Sequence, residues 1–229
     1  MQEQIRVITA GREGALGQNR VLRNTYWLLA LSLVPTVIGA MLGVQFRFSL
    51  LAGSPFVGLL LFLGVAWGFM WGIERNKDSG IGVALLLGFT LFMGLMLSGI
   101  LQVALGFRNG ASLIAVAGGG TATIFFVLAG VATTAKSDFS TMGKFLFVGV
   151  MVLLLAMLAN AFLQIAALAL TISALAVVIF SAYILFDIQR IVRGGETNYV
   201  SATLAVYLDI YNVFVSLLHL LLAFTGERD

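Results

Sequence analysis

The chain has 229 residues, of which 60% are hydrophobic and 10% charged, with a mean hydropathy of +1.05, against about 25% charged residues in a typical soluble domain. Those proportions describe an integral membrane protein and leave no length for a soluble domain. The chain has no cysteine, which removes disulfides, thiol catalysis and thiolate metal sites, and the net charge of +3 reads as topology and gives no ground for a nucleic-acid partner.

Residues 1–23, "MQEQIRVITAGREGALGQNR" and the three that follow, read as a basic cytoplasmic tail with the glycine and polar composition of a disordered handle. The apolar stretch after it is followed by others, so it is expected to be a retained helix and not a cleaved signal peptide. Crossing a hydrocarbon core of about 30 Å takes about 20 helical residues. Stretches of that length recur at 24–44, 55–73, 81–105, 111–134, 145–164, 167–188 and 200–224, so residues 24–229 are expected to form one all-α domain of seven transmembrane helices. Only Gln164, Ile165 and Ala166 separate the fifth stretch from the sixth, and a re-entrant hairpin could replace those two crossings.

Charge placement favours seven crossings. Arg6, Arg12, Arg20, Arg23, Arg75, Lys77, Lys136, Lys144, Arg190 and Arg193 fall on one side, and only Arg47, Arg108 and Arg228 on the other. The excess of basic residues on cytoplasmic loops then puts the N-terminus in the cytoplasm and the C-terminus outside. Glycine is placed for helix packing: Gly39 and Gly43 on the first span, Gly64, Gly68 and Gly72 on the second, and Gly118, Gly119 and Gly120 on the fourth are small-residue positions that let backbones approach in lipid. "AGGGTAT" lacks the lysine of a phosphate loop and lies inside an apolar span, which makes packing the reading.

An ionised carboxylate at the centre of a spanning helix costs roughly 2.5 to 3.5 kcal/mol on insertion scales, so Asp187 and Asp209 need a reason. Asp209 lies roughly 15 Å into the seventh span at 1.5 Å per residue. Asp187 is nearer the cytoplasmic end of the sixth. The turn "RGGETN" makes these spans antiparallel neighbours, so the two carboxyl groups can meet if the sixth helix continues about a turn past Asp187. At about 100° per residue, Asp209, Asn212, Ser216 and His219 share one stripe, continued by Ala205 and Ser201. A polar stripe of this kind is expected to face the bundle interior and not lipid. On the sixth span Ser173, Ala176, Phe180 and Tyr183 share the face of Asp187.

Singly, Asn212, Ser216 and Tyr183 read as hydrogen-bonding groups between helices. His219, the one histidine of the chain, excludes a histidine metal cluster and reads as packed or interfacial near the outer end of its helix. Asn160 and Gln164 are expected to cap or pair at the end of the fifth span. Arg75 sits where it could snorkel or reach Asp187.

"ILFDIQRIVRGGETNYVSATLAVYLDIYNVFVSLLHLL" resembles the C-terminal signature of the Bax inhibitor-one family of transmembrane Bax-inhibitor-motif proteins, and "VLRNTYWLLALSL", "AMLANAFLQIAALALTISA" and "GGETNYVSATLAVYLDIYN" are most similar to its bacterial YccA-like branch. The resemblance covers nearly the whole chain. It implies a bacterial inner-membrane location and a seven-helix bundle with the last helix at its centre. It implies further that Asp187 and Asp209 match the di-aspartyl pH sensor of the family's calcium-leak members, with Arg75 a looser match to a basic latch. The YccA-like branch implies a different role, binding and restraining the membrane protease FtsH.

Two functions follow. In the first, the protein is a pH-sensitive calcium leak whose ion path is Asp187, Asp209, Asn212, Ser216 and His219 with Arg75 at its mouth. The two aspartates would hold calcium only transiently, because calcium takes six to eight oxygen ligands, and no resident cofactor is implied. In the second, it is an interaction partner of FtsH. An intramembrane aspartyl protease would also need two aspartates on adjacent helices, but "AVYLD" lacks the Gly-x-Gly such enzymes place before the second one, so no enzyme is expected.

Overall fold

The computed structural model describes residues 2–48 and 55–225, with side chains over 17–48 and 57–225. Arg228 and the side chains of Arg6 and Arg12 lie outside the described residues. The elements are α1 (Gln2–Gln45), α2 (Pro55–Arg75), α3 (Gly80–Leu105), α4 (Gly110–Thr134), α5 (Met142–Leu163), α6 (Ala166–Val192) and α7 (Tyr199–Thr225), with no strand among the described residues. Each contains a segment long and apolar enough to cross a membrane.

The basic leader is not the disordered handle expected of it. It forms the first turns of α1, which is continuous from Gln2; its Gln, Glu, Arg, Ala and Leu are good helix formers and it contains no proline. The fifth and sixth spans are two helices and not a re-entrant hairpin. Gln164 reverses the chain between them in the left-handed conformation, at φ 52°. Asn160 closes that turn: its carbonyl accepts the Gln164 N–H at 2.8 Å and its side-chain oxygen accepts the Ile165 N–H at 3.0 Å.

α7 is the hub. It packs against α1, α2, α3, α4 and α6, whereas among the described residues α5 leans on α6 alone and α2 on α3 and α7. Its Val200, Val206, Tyr207, Val213 and Leu218 are buried. At its middle, Tyr207 meets Thr36 of α1 at 2.9 Å; Thr36 donates to the Ser32 carbonyl at 2.8 Å, which leaves its oxygen to accept from the tyrosine. The Tyr207 ring also lies edge-on to Phe89 of α3, so one side chain ties three helices together.

The most extensive helix pair is α1 with α3, and glycine makes it possible. A methyl group on Gly39 would collide with the Leu91 carbonyl, one on Gly43 with Ser98, and one on Gly94 with the Thr36 carbonyl. Gly39 and Gly43 therefore do what their spacing indicates, with Gly94 as their counterpart on α3. The second-span glycines do not. Gly64 and Gly68 face open space, and only Gly72 approaches a neighbour, Leu85 at 3.3 Å. α2 attaches instead through rings, with Phe62 and Phe69 both stacked on Phe92 and Phe69 also tilted against Phe89. On α4, Gly118 and Gly120 make only ordinary contacts with Phe214 and Leu217, and Gly119 meets nothing.

These contacts set a prediction. Gly94→Val should destabilise the bundle by about 1–3 kcal/mol, the usual range for overpacking, because the obstacle is backbone and cannot rotate away. Gly68→Val should stay within about 0.5 kcal/mol, as for an exposed site. Unfolding midpoints of the two variants in one detergent check this; equal midpoints would contradict the glycine seam.

Candidate functional site

The hairpin between α6 and α7 is wired by short-range bonds that follow from its sequence. α6 continues to Val192, a full turn past Asp187. Gly194 then takes φ 76°, a left-handed conformation suited to glycine. Arg190 pairs with Glu196 at 3.0 Å, and the other Glu196 oxygen accepts the backbone N–H groups of Thr197 and Asn198 at 3.0 and 2.9 Å. Asn198 caps α7, its side-chain oxygen accepting from Val200 at 2.8 Å and Ser201 at 3.2 Å. Its amide donates to Asp78 at 2.8 Å and to the Lys77 carbonyl at 3.2 Å, which ties the hairpin to the loop between α2 and α3.

This fixed register brings Asp187 and Asp209 together. Their carboxyl groups are close enough to act on each other, and a hydrogen bond between two carboxyls would need a proton held between them. Asp209 is 5% exposed and its Oδ2 receives no N–H or O–H among the described residues. Arg190, one turn along α6, is the cation whose field acts on Asp187, and Glu196 opposes it. Tyr183 feels both carboxyls and packs between Phe180 and Phe186. Among the described residues no three His, Cys, Asp or Glu side chains converge as a metal site, so the pair offers two carboxyl groups to a cation that takes six to eight oxygens.

The other expected site residues divide. Ser216 is buried on the Asp209 stripe. Asn212 donates to the Leu208 carbonyl of its own helix at 2.8 Å. His219 reaches α6 through Nδ1, 2.9 Å from Ser173 Oγ, and so sits at the far end of the stripe from the carboxyl pair. Arg75 is not at the pair: it is exposed and stacks over Trp71 of its own helix, 5.1 Å from the ring centre. The reason is positional, because among the described residues α2 packs on α3 and α7 and not on α6.

A cluster next to the pair carries no motif. Gln189, 2% exposed, accepts the Phe139 N–H at 2.7 Å and donates to the Ser137 carbonyl at 2.8 Å. Arg193 donates to the Lys136 and Ser137 carbonyls at 3.0 and 2.6 Å and pairs with Asp138 at 3.5 Å. Together they pin the loop between α4 and α5 to the end of α6. The one hint in the sequence is that Gln189 and Arg193 stand four apart on the last turns of an apolar helix. The Ser140 backbone N–H, helped by the Ser140 side chain and by Arg193, holds the Asp138 carboxyl below the usual carboxylate range. Its contribution to this loop is therefore present above the ordinary carboxylate pKa and lost as pH falls through the lowered value.

The family model for "Inhibitor of apoptosis-promoting Bax1" matches residues 18–226. The chain belongs to the Bax inhibitor family. Among its relatives is an uncharacterised protein of Neisseria meningitidis serogroup A, 38% identical over 214 residues, covering 93% of this chain and 94% of that one. The Escherichia coli K12 protein named Modulator of FtsH protease YccA is 40% identical over 210 residues, covering 92% and 93%. A second E. coli relative, from strain O6:H1, matches to the same extent and is named Inner membrane protein YccA. With seven membrane-crossing helices, this Bax inhibitor relative is a multi-pass inner-membrane protein.

The clamp beside the pair gives the second prediction. Gln189→Leu keeps the apolar volume but leaves the Phe139 N–H and the Ser137 carbonyl without their partner, at a cost of about 1–3 kcal/mol for a buried unsatisfied group. Hydrogen exchange at the Phe139 amide should accelerate, while amides in the middle of α6 keep their protection. Unchanged exchange at Phe139 would show that the loop is held by other contacts.

Proposed function

We propose that this protein modulates the membrane protease FtsH. The observation that carries this reading is the end-to-end match to a relative named for that role, with nine-tenths of each chain aligned. A regulator of a membrane protease must itself resist extraction from the bilayer, and two features here support that. The α1–α3 seam approaches backbone to backbone at Gly39 and Gly94, and the hub helix α7 packs against five others. The ten-to-three distribution of basic residues supports a cytoplasmic N-terminus, which puts the basic leader of α1 on the side where it is an accessible grip.

A second reading rests on a separate observation, the buried acid pair. Two carboxyl groups in a low-dielectric bundle cannot both ionise cheaply, and they titrate as a unit. In this reading Asp187 and Asp209 gate a leak of calcium, passing it weakly because they offer too few oxygens to hold it. The charged and titratable groups around them are Arg190, Glu196 and Tyr183. Arg75, stacked on Trp71, is not among them.

Two experiments test these readings separately. Tagged protein should co-purify with FtsH from membranes, and deleting residues 2–15 should lengthen its lifetime in cells that contain the protease while leaving its unfolding midpoint unchanged. Failure to co-purify removes the FtsH reading, and equal turnover removes the leader as the grip. For the leak, calcium entry into liposomes containing purified protein should depend on pH, and Asp187→Asn and Asp209→Asn should each flatten that dependence. Properly inserted variants that keep the wild-type pH profile would make the aspartates structural.

A further inference from the structure

On the face of α7 away from the acid pair, the bundle is open. α1 and α4 both pack on α7 and meet each other through the Tyr26 ring, set edge-on to Phe125; beside that contact, between the two helices, lies a cleft of about 830 Å³. Its walls run from Tyr26 to Val37 on α1 and from Gly118 to Thr133 on α4, and its floor includes Tyr207 and Phe214 of α7. The floor offers little polarity to an occupant, because the Tyr207 hydroxyl is engaged with Thr36 and that of Tyr211 donates to the Met93 carbonyl at 3.3 Å.

The extent and the rim of the cleft identify what fits it. At 1.5 Å per residue the walls are roughly 16 to 22 Å long. That is one leaflet of a core of about 30 Å, with a little more. A partner transmembrane helix would need a groove through both leaflets, whereas an acyl chain needs one. The cleft also has a charged end. Arg23 lies one turn before Tyr26, on the same face of α1, and Lys136 lies three residues past Thr133. Both are exposed, and neither forms an ion pair among the described residues. We propose that this cleft binds an anionic glycerophospholipid, one acyl chain lying between α1 and α4 and the headgroup phosphate held by Arg23 and Lys136.

The test uses purified protein in nanodiscs of equal phosphatidylglycerol and phosphatidylcholine, with the lipid that stays bound after release counted by native mass spectrometry. The wild-type protein should retain one lipid, with about a thirtyfold preference for phosphatidylglycerol from two rim cations. A side chain on Gly130, also in the cleft wall, would begin in open space, so Gly130→Leu fills the cleft without displacing a helix and should lose the bound lipid. The Arg23→Gln, Lys136→Gln double variant should keep one lipid and lose the headgroup preference; it alters only exposed side chains and decides the matter even if Gly130→Leu misfolds. Equal retention of both lipids by the wild type, or undiminished retention by folded Gly130→Leu, overturns the proposal. A two-chain mass that Gly130→Leu reduces to one chain also overturns it and assigns the cleft to a second copy.

Discussion

Inside a hydrocarbon core no water competes for polar groups, so each N–H, carbonyl and hydroxyl must find its partner within the protein. The hydroxyl side chains of this bundle meet that demand locally. Thr25 bonds back to Val21, Thr121 to Ala117, Ser173 to Ala169 and Thr203 to Tyr199, each to a carbonyl four residues earlier. Among the described residues two buried side-chain atoms escape it, Ser201 Oγ and Asp209 Oδ2. They stand eight residues apart on one face of α7. In a structure so thorough elsewhere, this is where the polar accounting is left open, and it is the face that looks toward α6.

The hub position of α7 makes its two sides interdependent. Asp209 and Tyr207 are two residues apart, about 200° around a helix, so one side carries the acid while the other floors the α1–α4 cleft. Neither side can be repacked without moving the other, because Val206 and Tyr207 are already fully buried between them. The hairpin turn sets the height of the acid by its own bonds, and the Tyr207–Thr36 contact sets it again from α1. The depth of Asp209 is thus determined twice, once from the hairpin and once from α1.

The architecture was legible because it follows from hydropathy: seven apolar stretches became seven helices, and the polar stripe of α7 is buried at Asp209 and Ser216, although His219 at its far end is exposed. The pairing of Asp187 with Asp209 was legible as a possibility in the turn "RGGETN", whose glycines and glutamate close the hairpin. The second-span glycines misled, since spacing alone cannot tell a small-residue face that meets a helix from one that meets lipid; Phe62 and Phe69 attach α2 instead. Arg75 misled for a related reason. Its sequence position gave its depth but not its azimuth, and α2 holds it away from α6. Gln189 and Arg193 went unread because their partners are backbone groups of a loop about fifty residues away, which leave no mark on local pattern.

The glycine seam also has a mechanical meaning. The Gly39, Gly43 and Gly94 approaches are gathered on the last ten residues of α1, at Gly39, Gly43 and Thr36, the end farthest from the leader. A pull on the leader acts along the axis of that helix and loads all three contacts at once, in shear, where a sideways pull would part them one after another. The same chain drawn from its C-terminus would start on α7, removing the helix on which α1, α3, α4 and α6 all rest. The bundle therefore has a direction of strength: it resists a drag from the α1 end as a single unit and comes apart in sequence from the other.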